Sequence, residues 1–307
     1  MTGLVVSVPT SALADALAAL PDGVEVIVWP MDAAAPRPVI DIVVPPYMSM
    51  HRVLPRLEGV RTRLVQSQSI GYEGVAELLP AGHRFANAGS VHETSTAELA
   101  VGLTLAVQRG IDAFAVDSRE GVWAPRFTES LADRRVLLLG YGGVGKAVAA
   151  RLAPFEAELT VVAHRAREED GTIVHSVDEL PTLLPNADIV ILTLPGGDAT
   201  RHLIDDAALA ALPDGALVVN VGRGPLIDTD ALVAHARRGR IRAALDVTDP
   251  EPLPQGHALW NTPGVLISPH VGGASSAMGP RMLRLLHTQI DRLRGGEEPV
   301  NVVIDGR

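Results

Sequence analysis

At roughly 100–200 residues per domain, 307 residues are about two domains' worth of chain. Lys and Arg number 26 against 36 Asp and Glu, and a formal net charge of −10 gives no general electrostatic footprint for nucleic acid or an anionic membrane. Hydrophobic residues make up 47%, enough to bury a large core, and with no cysteine there is no disulfide framework, thiolate metal site or cysteine nucleophile.

The first residues, MTGLVVSVPTSALADALAAL, lack the basic stretch of a signal peptide, and VVSV before Pro9 reads as a strand leaving a core. No apolar run reaches the roughly 18 residues of a membrane span. The expectation is a soluble cytoplasmic protein without nucleic-acid or membrane partners.

Short β-branched runs then recur between helical stretches. They fall at 4–8, 24–28, 41–44 and 63–67, and again at 135–140, 159–164, 188–194, 216–222, 243–247 and 265–270. These runs are nearly continuously apolar, as parallel strands covered on both faces must be. Alternation with helical patterns predicts an α/β architecture. Two long helical patterns stand apart. Residues 94–115 open with Ser/Thr caps and Glu98, then place Leu99, Gly102, Leu103 and Ala106 on one stripe. Residues 277–294 repeat the pattern, and the turn GGEEPVN returns the chain to an extended tail, NVVI. The first helix reads as a crossing into a central domain and the second as the crossing back. This predicts a discontinuous domain of 1–96 plus 277–307 around a domain of 97–276.

Within RVLLLGYGGVGKAVAARL, Gly140, Gly142 and Gly145 form a GxGxxG pattern between a buried-type strand and an Ala-rich helix. Gly140 permits the turn, Gly142 lets the backbone approach a pyrophosphate, and Gly145 lets helix and strand pack closely. With Gly143 and Val144 these residues open a helix whose N–H groups and dipole suit an anion. About 20 residues on, an acid would bind a ribose 2′-OH. Here stand His164, Arg165 and Arg167, with Glu168, Glu169 and Asp170 following as solvent-facing residues. Guanidiniums clamp a 2′-phosphate that an acid would repel, so NADP(H) is favoured, with NAD(H) possible.

Three later strand ends carry polar residues. Arg223 lies between two glycines, Asp246 and Glu251 lie in LDVTDPEPLP, and His270 follows LISP. Ligands of open α/β sheets sit outside the carboxyl ends of the strands, so these groups can converge on one crevice. The chemistry suits reduction of a 2-keto acid. Arg223 binds the carboxylate and polarises the carbonyl, and His270 donates the proton to the forming alkoxide. Glu251 on the other ring nitrogen fixes the tautomer and favours imidazolium, so reduction is expected to prefer neutral to mildly acidic pH. His51, His83 and His92 show no metal-ligand spacing, and no metal is expected.

GYGGVG, NVGRGPLIDTDAL, ALDVTDPEPLP, ALWNTPGVLISPHVGG and the tail PVNVV together resemble the D-isomer-specific 2-hydroxyacid dehydrogenase family, from about residue 60 to the end. The resemblance implies two doubly wound parallel-sheet α/β domains, Rossmann-like and flavodoxin-like, with a cleft between them. It implies that Arg223, Glu251 and His270 are catalytic and that Asp246 holds the nicotinamide carboxamide. Thr94 matches a polar position facing the nicotinamide. Ser69, Ile70 and Gly71 fall at the loop whose amides take the substrate carboxylate, although the family more often has Ala where Ile70 stands. The basic run at 164–167 looks like the NADP-using glyoxylate/hydroxypyruvate reductase branch, acting on a small anionic 2-keto or 2-hydroxy acid as a homodimer. The alternatives are an NAD-dependent, phosphoglycerate-like dehydrogenase and a non-catalytic nucleotide-sensing binding protein.

Overall fold

Fourteen strands, most of them short and apolar, organise the described residues. In the computed structural model, which describes residues 3–17, 20 and 22–306, they are β1 (Leu4–Val8), β2 (Val24–Val28), β3 (Ile42–Val43), β4 (Leu64–Gln66), β5 (Arg84–Ala86), β6 (Arg135–Leu139), β7 (Glu158–Ala163), β8 (Arg167–Glu169), β9 (Thr172–Ser176), β10 (Ile189–Leu192), β11 (Ala216–Asn220), β12 (Ile241–Leu245), β13 (Val265–Ile267) and β14 (Val302–Asp305). They form two sheets, in two compact units. One comprises Met1–His92 with Ser276–Arg307, the other Glu93–Ser275. The divisions lie near the residues where the two long helical patterns begin.

In the smaller unit the strand order is β14-β5-β4-β3-β1-β2. All neighbours are parallel except the C-terminal strand β14, which runs antiparallel to β5. The chain leaves β1 to one side and returns to the other, the doubly wound order of a flavodoxin-like sheet. The helix Met278–Arg294 covers one face with Met282, Leu285, Leu286, Gln289, Ile290 and Leu293, a spacing of three and four that makes one stripe. Buried Gln289 is satisfied. Its amide donates to Gln66 Oε1 at 2.7 Å and to the Val300 carbonyl at 2.9 Å, and its oxygen accepts from Val300 N–H at 3.0 Å.

The larger sheet runs β13-β12-β11-β10-β6-β7-β9-β8 and is parallel throughout except for the β8/β9 hairpin. Successive residues face opposite layers. Leu137, Leu139, Val190, Leu192 and Val218 enter one core, while Val136, Leu138, Ile189, Ile191, Leu217 and Val219 enter the other. Strand β6 lies between β10 and β7, so the order reverses there, and the glycine-rich loop follows at its carboxyl end.

Two local readings need correction. The pattern at 94–115 is two helices, Glu93–Gln108 and Ile111–Arg119, bent by 67°. Gly110 at the joint has φ +62°, the left-handed conformation that ends a helix. The buried positions include Ala97, Ala100, Val101, Leu103 and Thr104, whereas Gly102 faces outward. A helix that is apolar nearly all round carries too little periodicity to select its inner face. Residues 167–170 are also not a plain solvated run: they enter hairpin β8/β9, whose turn Asp170-Gly171 has positive φ at both residues. No single described helix is long and apolar enough to cross a membrane.

Candidate active site

Strand β6 delivers its last residue to Gly140, and the helix Gly143–Leu152 begins three residues later with Gly142 at its N-cap. A Cβ on Gly145 would lie 2.0 Å from the Gly140 carbonyl oxygen, so that glycine is required by packing inside the chain. Gly142 differs. A Cβ there meets nothing within 4 Å, so no protein neighbour demands it. The backbone there is open to close approach by a ligand, and the uncapped helix N-terminus beside it, at Gly143 and Val144, can offer N–H groups to a pyrophosphate. The residues fit a dinucleotide. Thr193 braces the turn, with its N–H on the Leu139 carbonyl at 2.8 Å and its hydroxyl on the Gly140 carbonyl at 3.1 Å.

At the end of β7, His164 and Arg165 are exposed. Arg167 starts β8, and the two-residue strand period puts Glu169 on its side. Arg167 donates from Nε to Glu169 Oε2 at 2.9 Å, and Nη2 lies 2.7 Å from the same oxygen. Lys146, on the helix after the glycine loop, also donates to Glu169. Hydrogen bonds from Lys146 and then Arg167 hold the Glu169 carboxyl below the ordinary carboxylate range. Glu169 therefore does not simply face solvent. It gathers two cations beside the basic run, and Lys146 joins Arg165 and Arg167 as a positive group at this strand end.

Arg223 follows β11, where Asn220 arranges the loop. The Asn220 amide donates to the Arg223 carbonyl at 2.8 Å and its oxygen accepts from Gly222 N–H at 3.0 Å. A Cβ on Gly224 would come within 1.9 Å of the Thr248 carbonyl oxygen, so the Arg223 loop lies directly on the loop leaving β12. Glu251 stands in that second loop. From the end of β13, His270 reaches it, with Nδ1 2.5 Å from Glu251 Oε1. Burial pushes the Glu251 carboxyl up, but the His270 hydrogen bond and charge, Thr248 N–H and the Arg223 charge together outweigh it and leave it below the ordinary range. Three strand ends thus bring a guanidinium, a carboxylate and an imidazole together, with the carboxylate ionised.

Asp246, at the end of β12, is 3% exposed. Its Oδ1 accepts from Ser268 Oγ at 2.6 Å and Val271 N–H at 2.9 Å, and its Oδ2 accepts from Gly272 N–H at 2.8 Å. Thr96 lies in the same place, since a Cβ on Gly272 would be 2.9 Å from Asp246 Oδ2 and 3.3 Å from the Thr96 methyl. Thr94, on the first turn of the same helix, is half-buried. Asn220, Ser268 and Thr96 are not among the residues that the sequence motifs single out. Asn220 alone left a signal, an amide ending the otherwise apolar run ALVV.

In the smaller unit, Ser69, Ile70 and Gly71 follow β4 and are half-buried. Ser69 N–H donates to Ser67 Oγ at 2.8 Å, and Asn87 donates to the Ile70 carbonyl at 3.0 Å. Trp260 is half-exposed, its indole N–H on the Pro254 carbonyl at 2.9 Å. Trp123 is 95% exposed within the larger unit and is neither core nor a pocket wall among the described residues.

Residues 101–272 match the family described as D-isomer specific 2-hydroxyacid dehydrogenase, NAD binding domain. The chain is 31% identical over 252 residues to a glyoxylate reductase of Thermofilum pendens, covering 78% of this chain and 74% of the relative. It is 31% identical over 225 residues to a hydroxypyruvate reductase of Thermotoga maritima, covering 71% and 73%. Among solved structures it resembles a D-isomer specific 2-hydroxyacid dehydrogenase from Xanthobacter autotrophicus in complex with NADPH and MES, at 28% identity and a TM-score of 0.82, with all of both chains covered. With the glycine loop at the strand-order reversal and the Arg, Glu and His strand ends already described, these matches show that the chain belongs to the D-isomer specific 2-hydroxyacid dehydrogenase family, oxidoreductases that work with a nicotinamide dinucleotide.

Proposed function

We propose that this enzyme reduces a small 2-keto acid, of the glyoxylate and hydroxypyruvate kind, to the D-2-hydroxy acid with NADPH. The observation that carries the reading is the His270–Glu251 hydrogen bond at 2.5 Å, with the Arg223 charge felt by the same carboxylate. When bound, the dinucleotide supplies the hydride. Arg223 holds the substrate carboxylate and polarises the neighbouring carbonyl. His270 protonates the oxygen as it gains charge, using the ring nitrogen opposite Nδ1. Glu251 fixes that orientation by occupying Nδ1. In the smaller unit, the amides of Ile70 and Gly71 are assigned to carboxylate binding, Ser69 N–H being engaged by Ser67. Thr94 is assigned to the nicotinamide side.

The preference for NADPH is supported by Arg165, Arg167 and Lys146 around the end of β7, where the Glu169 carboxylate is already paired with two cations. The relatives named glyoxylate reductase and hydroxypyruvate reductase, and the NADPH complex of the Xanthobacter enzyme, support the same reading. We further propose a homodimer. Ile111, Val116, Val122, Trp123 and Phe127 are exposed along one stretch of the chain, and clustered exposed apolar residues are a mark of interaction surfaces.

The test is dinucleotide oxidation over a panel of keto acids, with NADPH and NADH compared, in wild type and His270→Ala. Turnover of glyoxylate or hydroxypyruvate with NADPH, reduced by roughly 100-fold or more in the variant, is expected. Equal or better turnover with NADH overturns the cofactor assignment. Tight dinucleotide binding with no turnover on any keto acid turns the reading toward a nucleotide-sensing binding protein.

A further inference from the structure

The hairpin β8/β9 is fastened to the glycine loop and its helix at two points. Glu169, the last residue of β8, accepts a hydrogen bond from Lys146, which directly follows Gly145 on that helix. Thr172, the first residue of β9, accepts from the Tyr141 hydroxyl at 3.3 Å, and the Lys146 ammonium stands 5.7 Å from the centroid of the Tyr141 ring. Tyr141 lies between Gly140 and Gly142. The hairpin therefore spans from the loop that suits a pyrophosphate to the end of β7, where the 2′ position of a ribose falls in a sheet of this kind.

Glu169 is the residue on which these parts converge. Besides the Lys146 bond it accepts from Arg167 Nε at 2.9 Å, with Arg167 Nη2 at 2.7 Å. Those hydrogen bonds hold its carboxyl below the ordinary carboxylate range, so it is an anion at neutral pH. Glu168, one residue earlier on the strand, is exposed on the opposite side, and Asp170 in the turn acts on Lys146 by charge alone. A 2′-phosphate carries more negative charge than a carboxylate and is held by the same donors, a guanidinium fork and an ammonium. Carboxylate and phosphate are thus alternatives for one set of cations. The side chains of Lys146 and Glu169 are 44% and 29% exposed, and a pair so open to water and salt is weak enough to change partners.

We infer that Glu169 is a specificity-determining residue of the dinucleotide site, an internal anion that competes with the 2′-phosphate for Lys146 and Arg167 and thereby limits the preference for NADPH over NADH. The inference rests on the NADPH reading and deepens it, adding Lys146 to the groups that take the 2′-phosphate. NADH brings no such phosphate and leaves the Glu169 pairs in place. Glutamine at 169 keeps the size and one carbonyl acceptor while removing the charge.

The experiment titrates NADPH and NADH, without keto acid and over a range of salt concentrations, into wild type, Glu169→Gln, Lys146→Met and the double variant. Glu169→Gln is expected to tighten NADPH by roughly three- to tenfold and to leave NADH within about twofold. Its NADPH affinity should also fall more steeply with salt than that of wild type, because the cations it frees attract the phosphate at longer range. Lys146→Met should weaken NADPH selectively, and the gain from Glu169→Gln should shrink in the double variant, as residues sharing one contact require. An unchanged or weaker NADPH affinity in Glu169→Gln, or equal changes for both dinucleotides, would overturn the inference and leave Glu169 as a brace of the hairpin. Wild type that binds NADH at least as tightly as NADPH would refute the cofactor preference by itself, and the shift between wild type and Glu169→Gln would still decide whether Glu169 competes.

Discussion

Burial alone would push the Glu251 carboxyl toward its neutral form, and the imidazole of His270, with Thr248 N–H and the Arg223 charge, reverses that outcome. A carboxyl whose folded value is depressed adds stability above its unfolded value and loses it as pH falls through the folded one. Glu251 thus contributes at neutral pH, and its contribution disappears below the ordinary carboxylate range. Denaturant titrations of wild type and Glu251→Gln should differ at pH 7 and converge as the pH falls below about 4; a gap that persists in acid would place the loss in packing instead. Arg223→Ala should damage keto-acid KM and kcat together, because the guanidinium both binds and polarises, and an unchanged KM would give the carboxylate to other donors. Arg165→Ala should weaken NADPH relative to NADH by on the order of 1.5–3 kcal/mol, read as the ratio of their kcat/KM values. Equal losses with both dinucleotides would remove that arginine from the 2′-phosphate.

Loops at strand ends, rather than the strands, carry the chemistry, and glycines set how near they come. At Gly224 a methyl group would sit 1.9 Å from the Thr248 carbonyl oxygen, so Gly224→Ala must separate the loops bearing Arg223 and Glu251. The expected cost is about 1–3 kcal/mol of stability with a disproportionate loss of kcat, checked by thermal unfolding beside steady-state assays. The carboxylate of Asp188 ties the start of β10 to the start of β6, accepting from Arg135 N–H at 2.9 Å, Nε at 3.1 Å and Nη2 at 2.7 Å. This joint lies at the opposite strand ends from the proposed site. Asp188→Asn should therefore lower stability by about 1 kcal/mol, the arginine being partly exposed, and leave kcat intact. The β8/β9 hairpin shows how an element redefines residues. Pairing across Asp170-Gly171 fixes Glu169 beside Arg167 and within reach of Lys146, so a run that reads as basic residues followed by solvated acids becomes one charge cluster.

Over the whole molecule the chain builds two sheets, each with its own pair of cores, and the helix Met278–Arg294 returns it to the first. The segment after the bend at Gly110 holds no buried residue in its helix and ends in Trp123 and Phe127, 95% and 108% exposed. If a second copy covers it, sedimentation should give a dimer that Trp123→Ser with Phe127→Ser converts to a monomer without loss of secondary structure. A monomeric wild type at micromolar concentration would overturn the homodimer.

The α/β class, the glycine loop and the polar strand ends were legible from the sequence, because a strand covered on both faces must be continuously apolar and a charged residue at its end has no place in that core. Gly140, Gly142, Arg223, Glu251 and His270 announce themselves in this way. Other features have no such signature. The inner face of the helix Glu93–Gln108, the pairing of Glu169 with two cations, the hold of Asn220 on the Arg223 loop and the wrapping of 270–272 around Asp246 depend on groups far apart in the chain. Local sequence specifies which surfaces must be buried and where the chain turns, whereas the partners of a buried polar group are chosen only when the strands pack and water is removed.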